Sequence, residues 1–229
     1  MKRVLIIGGS VEAWHLACSL DHATVWLPEP ERVARDWPCP VAQGALPALH
    51  QFDVMVIACH PCDGNTAGMC WRAAKAIDLP VAFLRRPAWR AGARDRWVLL
   101  RSERSAAAVI PTGARVLTTL GRQGLGELKS LKAHVLARRL GAPGGAFPLR
   151  HGRFLPAKGP FAIAQEERFL RKERVDWLLL RNAGGPGGWP KLAAARQLGL
   201  SVAMVARPAW PGGVSCASVA EAKTWIDRK

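Results

Sequence analysis

The chain has 229 residues, of which 49% are hydrophobic, and it carries a formal net charge of +16 at pH 7. This length suits one large or two ordinary domains with a real core, and the lack of any run of about 18 apolar residues argues against a membrane span. The positive field attracts polyanions, but the cations are scattered and no helix-turn-helix or zinc-finger spacing occurs, which argues against a nucleic-acid partner.

The first predicted elements are a strand at residues 4–7, a turn at Gly8, Gly9 and Ser10, and a helix at 11–20. This order opens a dinucleotide-binding unit, in which backbone N–H groups at the helix N-terminus bind phosphate. The dinucleotide fingerprint would have glycine at positions 8, 10 and 13, and the chain keeps only the first. A plain strand-to-helix turn is therefore the alternative. The apolar run is too short for a signal peptide, so we expect a cytoplasmic protein.

A second predicted strand covers residues 23–27, and Arg32 beyond it is a candidate for the extra phosphate of NADP. A third strand at 53–58 ends in Cys59-His60-Pro61-Cys62. This spacing is typical of a thiol–disulfide motif, and nearby His and Asp residues make a metal site a further alternative. We favour a loop that lines a ligand cleft, because open α/β sheets bind ligands at the carboxyl ends of their strands.

The middle of the chain continues the alternation of helices and strands. We expect a helix at 66–77, strands at 81–84 and 97–100, and a domain boundary near Glu103, giving lobes 1–103 and 104–229. The second lobe starts with a short helix at 105–110, a strand at 116–120, a glycine turn and a short helix from 128. The pattern at 134–140 fits a strand or a helix. A helix at 163–172 places its charged side chains, Glu166 among them, on its solvent side.

The segment 181–191, here called the glycine loop, is the most informative in the chain. It follows a buried strand at 175–180, contains four glycines and precedes a helix at 192–198. Glycines let a backbone approach a ligand closely, and the following helix N-terminus attracts anions. Arg181 and Lys191 bracket it with positive charge. We predict a phosphate or carboxylate site here, with a flexible surface turn as the alternative.

The two halves of the chain echo each other. Residues 79–89 align without a gap on residues 200–210, which include a further predicted strand at 201–205, and both segments end in Arg-Pro-Ala-Trp. A repeat of such long period indicates two similar α/β lobes, and clefts between lobes are favoured ligand sites. The fold class predicted is α/β, with two Rossmann-like lobes, mostly parallel sheets and a cleft between them. A last helix is expected at 219–226.

Seven short motifs follow one another along the chain: Gly8-Gly9-Ser10-Val11-Glu12-Ala13, Cys59-His60-Pro61, Arg86-Pro87-Ala88-Trp89, Leu117-Thr118-Thr119 with Gly121-Arg122-Gln123, Gly159-Pro160-Phe161, Asn182-Ala183-Gly184-Gly185 with Lys191, and Arg207-Pro208. In this order, and over nearly the whole chain, they resemble the precorrin-6A reductase family. The resemblance has departures, since Ile57 and Cys59 stand where that family usually has Asp and Thr.

The resemblance implies an NADPH-dependent oxidoreductase of cobalamin biosynthesis. It would reduce one double bond of the precorrin-6A macrocycle to give precorrin-6B, by hydride transfer from the nicotinamide in the cleft between the lobes. The partner would be a tetrapyrrole with many carboxylates, which suits a basic chain. No membrane partner and no resident metal are implied, and a monomer is favoured.

The resemblance and the motifs together give the candidate residues. For the cofactor they are Gly8, Gly9, Ser10, Arg32 and Cys59. For the substrate they are Arg86, Arg122, Gln123, Asn182, Gly184, Gly185, Lys191 and Arg207. His60 is the candidate catalytic residue, to orient the macrocycle or donate a proton, with an ordinary packed or surface histidine as the alternative.

Two other functions remain open from the sequence. One is reduction of the cobalt-containing substrate of the anaerobic route with NADH. The other, from a different class, is a basic nucleic-acid-binding protein without catalysis, which would bind DNA with a steep dependence on salt.

Overall fold

The structure is a computed structural model, and it describes residues 2–31, 34–140 and 145–229. Two compact units divide the chain, one of Met1–Pro87 with Pro208–Lys229 and one of Ala88–Arg207. The strands are β1 (Val4–Ile7), β2 (Ala23–Leu27), β3 (Val41–Gln43), β4 (Val54–Ile57), β5 (Val81–Leu84), β6 (Arg96–Leu100), β7 (Arg115–Thr118), β8 (His134–Leu140), β9 (Gly152–Ala157), β10 (Trp177–Arg181), β11 (Ser201–Val205) and β12 (Val214–Cys216). The helices are α1 (Val11–Cys18), α2 (Gly64–Lys75), α3 (Arg122–Gly126), α4 (Ile163–Lys172), α5 (Trp189–Leu198) and α6 (Val219–Asp227). Within the described residues, none of the helices has the length and apolar character needed to cross a membrane.

The first unit contains a six-stranded sheet in the order β12-β5-β4-β1-β2-β3, and every pair of neighbours is parallel. All four residues of β1 are buried. Val4 and Ile6 pack with residues of α1 and α6, whereas Leu5 and Ile7 pack with residues of α2. Such continuous apolar runs are typical of a parallel sheet that is covered on both faces.

The second unit repeats this arrangement with the order β6-β11-β10-β7-β8-β9, again with all neighbours parallel. One core cluster joins Val116, Val135 and Leu179 to residues around Leu125. The other joins Leu178 and its neighbours to α5 and to Leu170 of α4. The predicted α/β class with two mostly parallel sheets is therefore confirmed.

The observed boundary between the units differs from the predicted division into 1–103 and 104–229. The chain leaves the first unit at Pro87, so β6 pairs with β11 in the second sheet, from Arg96 opposite Ser201 to Leu100 opposite Val205. It returns at Pro208, so β12 pairs with β5 in the first sheet and α6 contributes Ala222 and Ile226 to its core. Strand pairing over long sequence separation decides this division, and local sequence patterns do not report it.

Most predicted elements are found within a few residues of their expected bounds, and the open segment 134–140 is the strand β8. Three strands, β3, β9 and β12, were not predicted. The expected helix from 128 is wrong, because α3 starts at Arg122 and ends at Gly126. The turn expected at 121–126 is thus largely helix.

Glu166 corrects the prediction that the charges of α4 face solvent. Its side chain is buried and forms an ion pair with Arg138 of β8, with 2.6 Å between Oε1 and Nη1. The Arg138 guanidinium also lies over the ring of Phe169, 4.1 Å from its centroid. A charged residue enters this core because a partner of opposite sign and an aromatic face receive it.

Candidate functional site

The first candidate site lies at the carboxyl edge of the first sheet. There β1 has β2 on one side and β4 on the other, so the strand order reverses between β1 and β4. Ligands of doubly wound folds bind in the crevice at such a reversal. Gly8, Gly9 and Ser10 follow β1, and Cys59 with His60 closely follows β4. These five predicted residues are therefore brought together, as the strand register requires.

The Gly8–Gly9 turn requires glycine for physical reasons. Gly9 has φ +129°, and a Cβ there would stand 3.2 Å from the backbone nitrogen of His60. A Cβ on Gly8 would stand 2.7 Å from Cδ2 of Leu27. At Gly9 the turn after β1 thus packs closely against the segment after β4, with a φ that favours glycine.

Ser10 is the N-cap of α1. Its hydroxyl donates to the carbonyl of Ala58 at 2.7 Å and accepts from the N–H of Ala13 at 3.2 Å. The side chain is therefore used in linking β4 to α1, and what the turn can present to a phosphate is chiefly its backbone.

The Cys59-His60-Pro61-Cys62 loop does not have the environment of a reactive thiol pair. Cys59 is buried, its Sγ donates to the carbonyl of Asp63 at 3.5 Å, and burial raises its pKa well above the usual range of a thiol. A thiol held protonated is a poor nucleophile and a poor metal ligand. Among the described residues, no group of three or more His, Cys, Asp or Glu side chains is arranged to hold a metal ion.

His60 is exposed beside Gly9, and its Nδ1 accepts a hydrogen bond from the N–H of Cys62 at 3.2 Å. An accepting Nδ1 carries no proton, so in the neutral ring the proton is on Nε2. The ring of His60 is thus held by Cys62 next to the predicted cofactor turn.

Two arginines that follow β5 contact residues at this edge of the first sheet. Arg86, a predicted substrate residue, pairs with Glu12 in the first turn of α1, with 2.5 Å between Nη1 and Oε2. It therefore lies in the first unit, beside the predicted cofactor turn. Arg85 was not singled out by the sequence analysis, yet it donates to the carbonyl of Pro61 at 2.7 Å and stacks on Trp210 at 4.3 Å. Arg85 directly follows the apolar strand β5, and nothing in that sequence pattern indicates this contact.

Arg32, the candidate for the NADP phosphate, lies outside the described residues. The nearby acid Glu31 is already engaged, since it accepts from Trp37 Nε1 at 2.9 Å and pairs with Arg35 at 3.4 Å.

The second candidate site lies at the corresponding edge of the second sheet. The strand order there reverses between β7 and β10, and the glycine loop begins at the end of β10. Gly184 and Gly185 have φ values of +69° and +77°, in the left-handed region that favours glycine. In the part of the chain that the structure describes, the N–H groups of Gly184, Gly185, Gly187 and Gly188 have no hydrogen-bond acceptor.

The carbonyl groups at the start of the glycine loop are held by protein donors. Arg207 donates from Nε to the carbonyl of Asn182 at 2.7 Å and from Nη2 to that of Ala183 at 2.9 Å. The buried Asn182 side chain bonds to the backbone of Trp89. Asn182 and Arg207, both predicted to bind substrate directly, are thus also parts of the loop's framework.

Lys191 is a buried cation at the end of the glycine loop, with 8% of its surface exposed. Its Nζ donates to the carbonyl of Gly188 at 3.3 Å. Burial lowers its pKa, and the nearby Arg138 lowers it further, while Glu166 raises it. A lysine in this position is poorly solvated and is well suited to pair with an anion that reaches the loop.

The remaining predicted pair, Arg122 and Gln123, starts α3 after β7 and is exposed. Arg122 donates to the carbonyl of Ala146 at 3.0 Å and lies 5.7 Å from the centroid of the Phe154 ring. Since β7 adjoins β10, this pair belongs to the same edge of the second sheet as the glycine loop. That edge thus presents cations and free amides, a combination suited to carboxylates or phosphates.

Comparison with known proteins points to one family. Residues 44–227 match the family model described as "Precorrin-6x reductase CbiJ/CobK". The chain is 34% identical to precorrin-6A reductase of Rhodococcus erythropolis, over 99% of this chain and 98% of that protein. It is 33% identical to precorrin-6A reductase of Mycobacterium tuberculosis, over 99% and 98%. The solved structure of CobK precorrin-6A reductase matches with a TM-score of 0.90 and 29% identity, over 100% of this chain and 97% of that one.

Proposed function

The chain belongs to the precorrin-6x reductase family, and on that premise we propose that it reduces one double bond of precorrin-6A with NADPH to give precorrin-6B. The reductase activity follows from similarity over the whole length of the chain and of its relatives. The choice of NADPH and the assignment of residues are the finer parts of the proposal.

We assign the nicotinamide nucleotide to the first unit. The backbone of Gly8–Ser10 at the N-terminus of α1 would receive its phosphates, because this end of the helix carries unpaired N–H groups and partial positive charge. The backbone of Cys59 and His60 would form the other wall of the crevice, since it lies against Gly9. When bound, the nicotinamide supplies the hydride that the macrocycle accepts.

We assign the carboxylates of the tetrapyrrole to the second unit. The observation that carries this assignment is the glycine loop, which has N–H groups without an acceptor among the described residues and whose last glycine, Gly188, contacts the buried cation of Lys191 through its carbonyl. A carboxylate in this loop would gain hydrogen bonds from the backbone and charge from lysine, while Arg122 and Gln123 would hold further acidic groups.

The reaction also consumes one proton, and His60 is the group that we assign to supply it or to orient the ring. Its side chain is exposed beside the cofactor turn, and its Nδ1 accepts a hydrogen bond from Cys62. A fixed imidazole can present one proton in one direction, which suits either task.

The preference for NADPH over NADH rests on charge. Acids near the end of β2 favour NAD by binding its ribose, and Glu31 is already paired with Arg35. We therefore keep Arg32 as the proposed partner of the extra phosphate of NADP, since the acid at position 31 is already paired. The basic character of the chain favours the more highly charged nucleotide.

An anaerobic assay with precorrin-6A tests the proposal directly. We expect oxidation of NADPH to accompany reduction of the macrocycle, and NADPH to raise the melting temperature of the protein more than NADH does. Arg32→Ala should raise the KM for NADPH more than that for NADH, whereas Arg72→Ala, on the exposed surface of α2, should change neither.

Other results would select the other functions. Turnover of cobalt-precorrin-6A with NADH, and none with the metal-free substrate, would assign the chain to the anaerobic route. No effect of either nucleotide on melting, together with DNA binding that weakens steeply with salt, would favour the nucleic-acid-binding alternative.

A further inference from the structure

Trp89 contacts the glycine loop through its backbone and its side chain. Its N–H donates to Oδ1 of Asn182 at 2.8 Å, and its carbonyl accepts from Nδ2 of the same residue at 2.9 Å. Its indole Nε1–H donates to the carbonyl of Gly185 at 2.9 Å. The segment that contains Trp89 has no regular secondary structure, so these bonds connect it firmly to the loop.

The indole ring also fills the space beside Gly188. A Cβ at that position would stand 2.5 Å from Cη2 and 2.7 Å from Cζ2 of Trp89. These distances are far inside van der Waals contact, so Gly188 and Trp89 are matched in shape. Glycine is needed at position 188 because the tryptophan ring occupies the place of a side chain.

The bonds to loop carbonyls hold the backbone that carries the loop's N–H groups. In a trans peptide the N–H lies opposite the preceding carbonyl, so Arg207, by holding the carbonyl of Ala183, directs the N–H of Gly184. The carbonyl of Gly185 that Trp89 holds belongs to the peptide bond of Pro186, which has no N–H, so this bond restricts ψ of Gly185 and with it the path of the backbone between the N–H groups of Gly185 and Gly187. Four glycines would otherwise leave this segment very flexible.

We propose that Trp89 is a positioning residue for the reductase reaction, which holds the amides of the glycine loop in the arrangement that receives a tetrapyrrole carboxylate. This inference rests on the function proposed above and assigns Trp89 no contact with substrate. Binding to a loop that is already ordered avoids the entropy cost of ordering it. Trp89 therefore acts on substrate affinity and leaves the hydride step unchanged.

The direct test is Trp89→Phe, which keeps an aromatic ring and removes the bond to Gly185. We expect the KM for precorrin-6A to rise about three- to tenfold, with kcat and the KM for NADPH nearly unchanged. Trp97→Phe, a half-buried tryptophan on β6 of the same unit, is the matched control and should leave all three values unchanged. A fall in kcat with an unchanged KM for precorrin-6A would overturn the proposal.

A second pair of variants tests the match in shape. Gly188→Ala should raise the KM for precorrin-6A, because the new methyl group displaces the indole ring. Combining Gly188→Ala with Trp89→Ala should be no worse than Trp89→Ala alone, since the clash is then gone. If Gly188→Ala and Trp89→Ala instead raise the KM for precorrin-6A independently, so that their effects add in the double variant, the proposed contact is contradicted.

Loop order can be measured independently of turnover. In ¹⁵N relaxation, the order parameters of Gly184 and Gly185 should fall in Trp89→Phe from near 0.85 to below about 0.6, while those in Trp97→Phe stay near 0.85. Unchanged order parameters would remove Trp89 as the residue that holds the loop. An inactive wild-type protein would instead overturn the proposed function, and this measurement would still decide whether Trp89 orders the loop.

Discussion

At the residue scale, Lys191 shows a conflict between stability and binding. Its burial disfavours the charged form, and it stands in the first turn of α5, where the helix dipole also disfavours a cation. Such a residue destabilises the protein without ligand, and the carboxylate that we propose to bind there would relieve that cost. A residue under this strain is more typical of a binding site than of a structural core.

We expect Lys191→Met to stabilise the protein by about 1 kcal/mol at neutral pH, which raises Tm by roughly 2–4 °C. Because burial lowers the pKa of Lys191 in the folded state, the folded protein bears this cost in full below that pKa. The cost shrinks as pH rises towards the ordinary lysine value of about 10.4. The advantage of the variant in urea denaturation should therefore be largest at low and neutral pH and should disappear in alkali.

The same variant should raise the KM for precorrin-6A by at least about tenfold, because a charge-assisted hydrogen bond is lost. Lys172→Met, at an exposed position of α4, is the control and should change neither stability nor KM appreciably. A Lys191→Met protein that is less stable than wild type would show that the lysine supports the fold.

At the scale of elements, the buried pair of Arg138 and Glu166 fastens α4 to β8. Glu166→Gln leaves a buried guanidinium without its counter-charge, so we expect a loss of about 3–5 kcal/mol in the free energy of unfolding. Replacing both residues with leucine should recover most of that loss, because no unpaired charge then remains.

Equilibrium denaturation of the two single leucine variants and the double variant measures the coupling between the two side chains. The exposed pair of Arg104 and Glu127 provides the matched comparison, and Arg104→Ala should lower the free energy of unfolding far less than Glu166→Gln does, because water screens an exposed ion pair. Equal losses at the buried and exposed pairs would mean that Glu166 reaches solvent.

Elements with a strong local pattern were predictable, and those that depend on distant partners were not. The buried runs of β1 and β11 and the charged helix α4 were predicted with their observed bounds. The burial of Glu166 was missed because the residues beside it in the sequence are polar, while its partner lies 28 residues away. β3 and β12 have three residues each, too few for a periodic pattern. The glycine loop was found because its composition is local, whereas its support by Trp89 depends on a contact 96 residues away.

At the scale of the whole molecule, the repeated Arg-Pro-Ala-Trp motif marks the two places where the chain passes between the units. The boundaries fall between Pro87 and Ala88 and between Arg207 and Pro208, inside the two copies of the motif. In each copy the arginine belongs to the unit that the chain leaves, and the tryptophan belongs to the unit that it enters. The resemblance of 79–89 to 200–210 thus reflects equivalent strands in two sheets of similar parallel order.

This division predicts which fragments of the chain fold. The fragment 88–207 keeps all six strands of the second sheet and the bidentate pair of Asp95 with Arg196, so we expect a cooperative thermal transition by circular dichroism. The fragment 104–229 is of similar length and matches the division first expected from the sequence. It lacks β6, so the edge of β11 is exposed. Its residues from 208 onward also lack the first sheet, in which β12 pairs with β5.

We therefore expect 104–229 to aggregate or to melt without a cooperative transition. Adding residues 88–103 to the fragment 104–229 and removing residues 208–229 from it should each make its thermal melting more cooperative. We expect these two effects to add. At their N-terminal ends the two fragments differ only by the segment that carries β6 and Trp89. If 104–229 melts cooperatively at the same temperature as 88–207, β6 is dispensable for the second sheet. The core built on β7, β8, β10 and β11 would then be sufficient for folding.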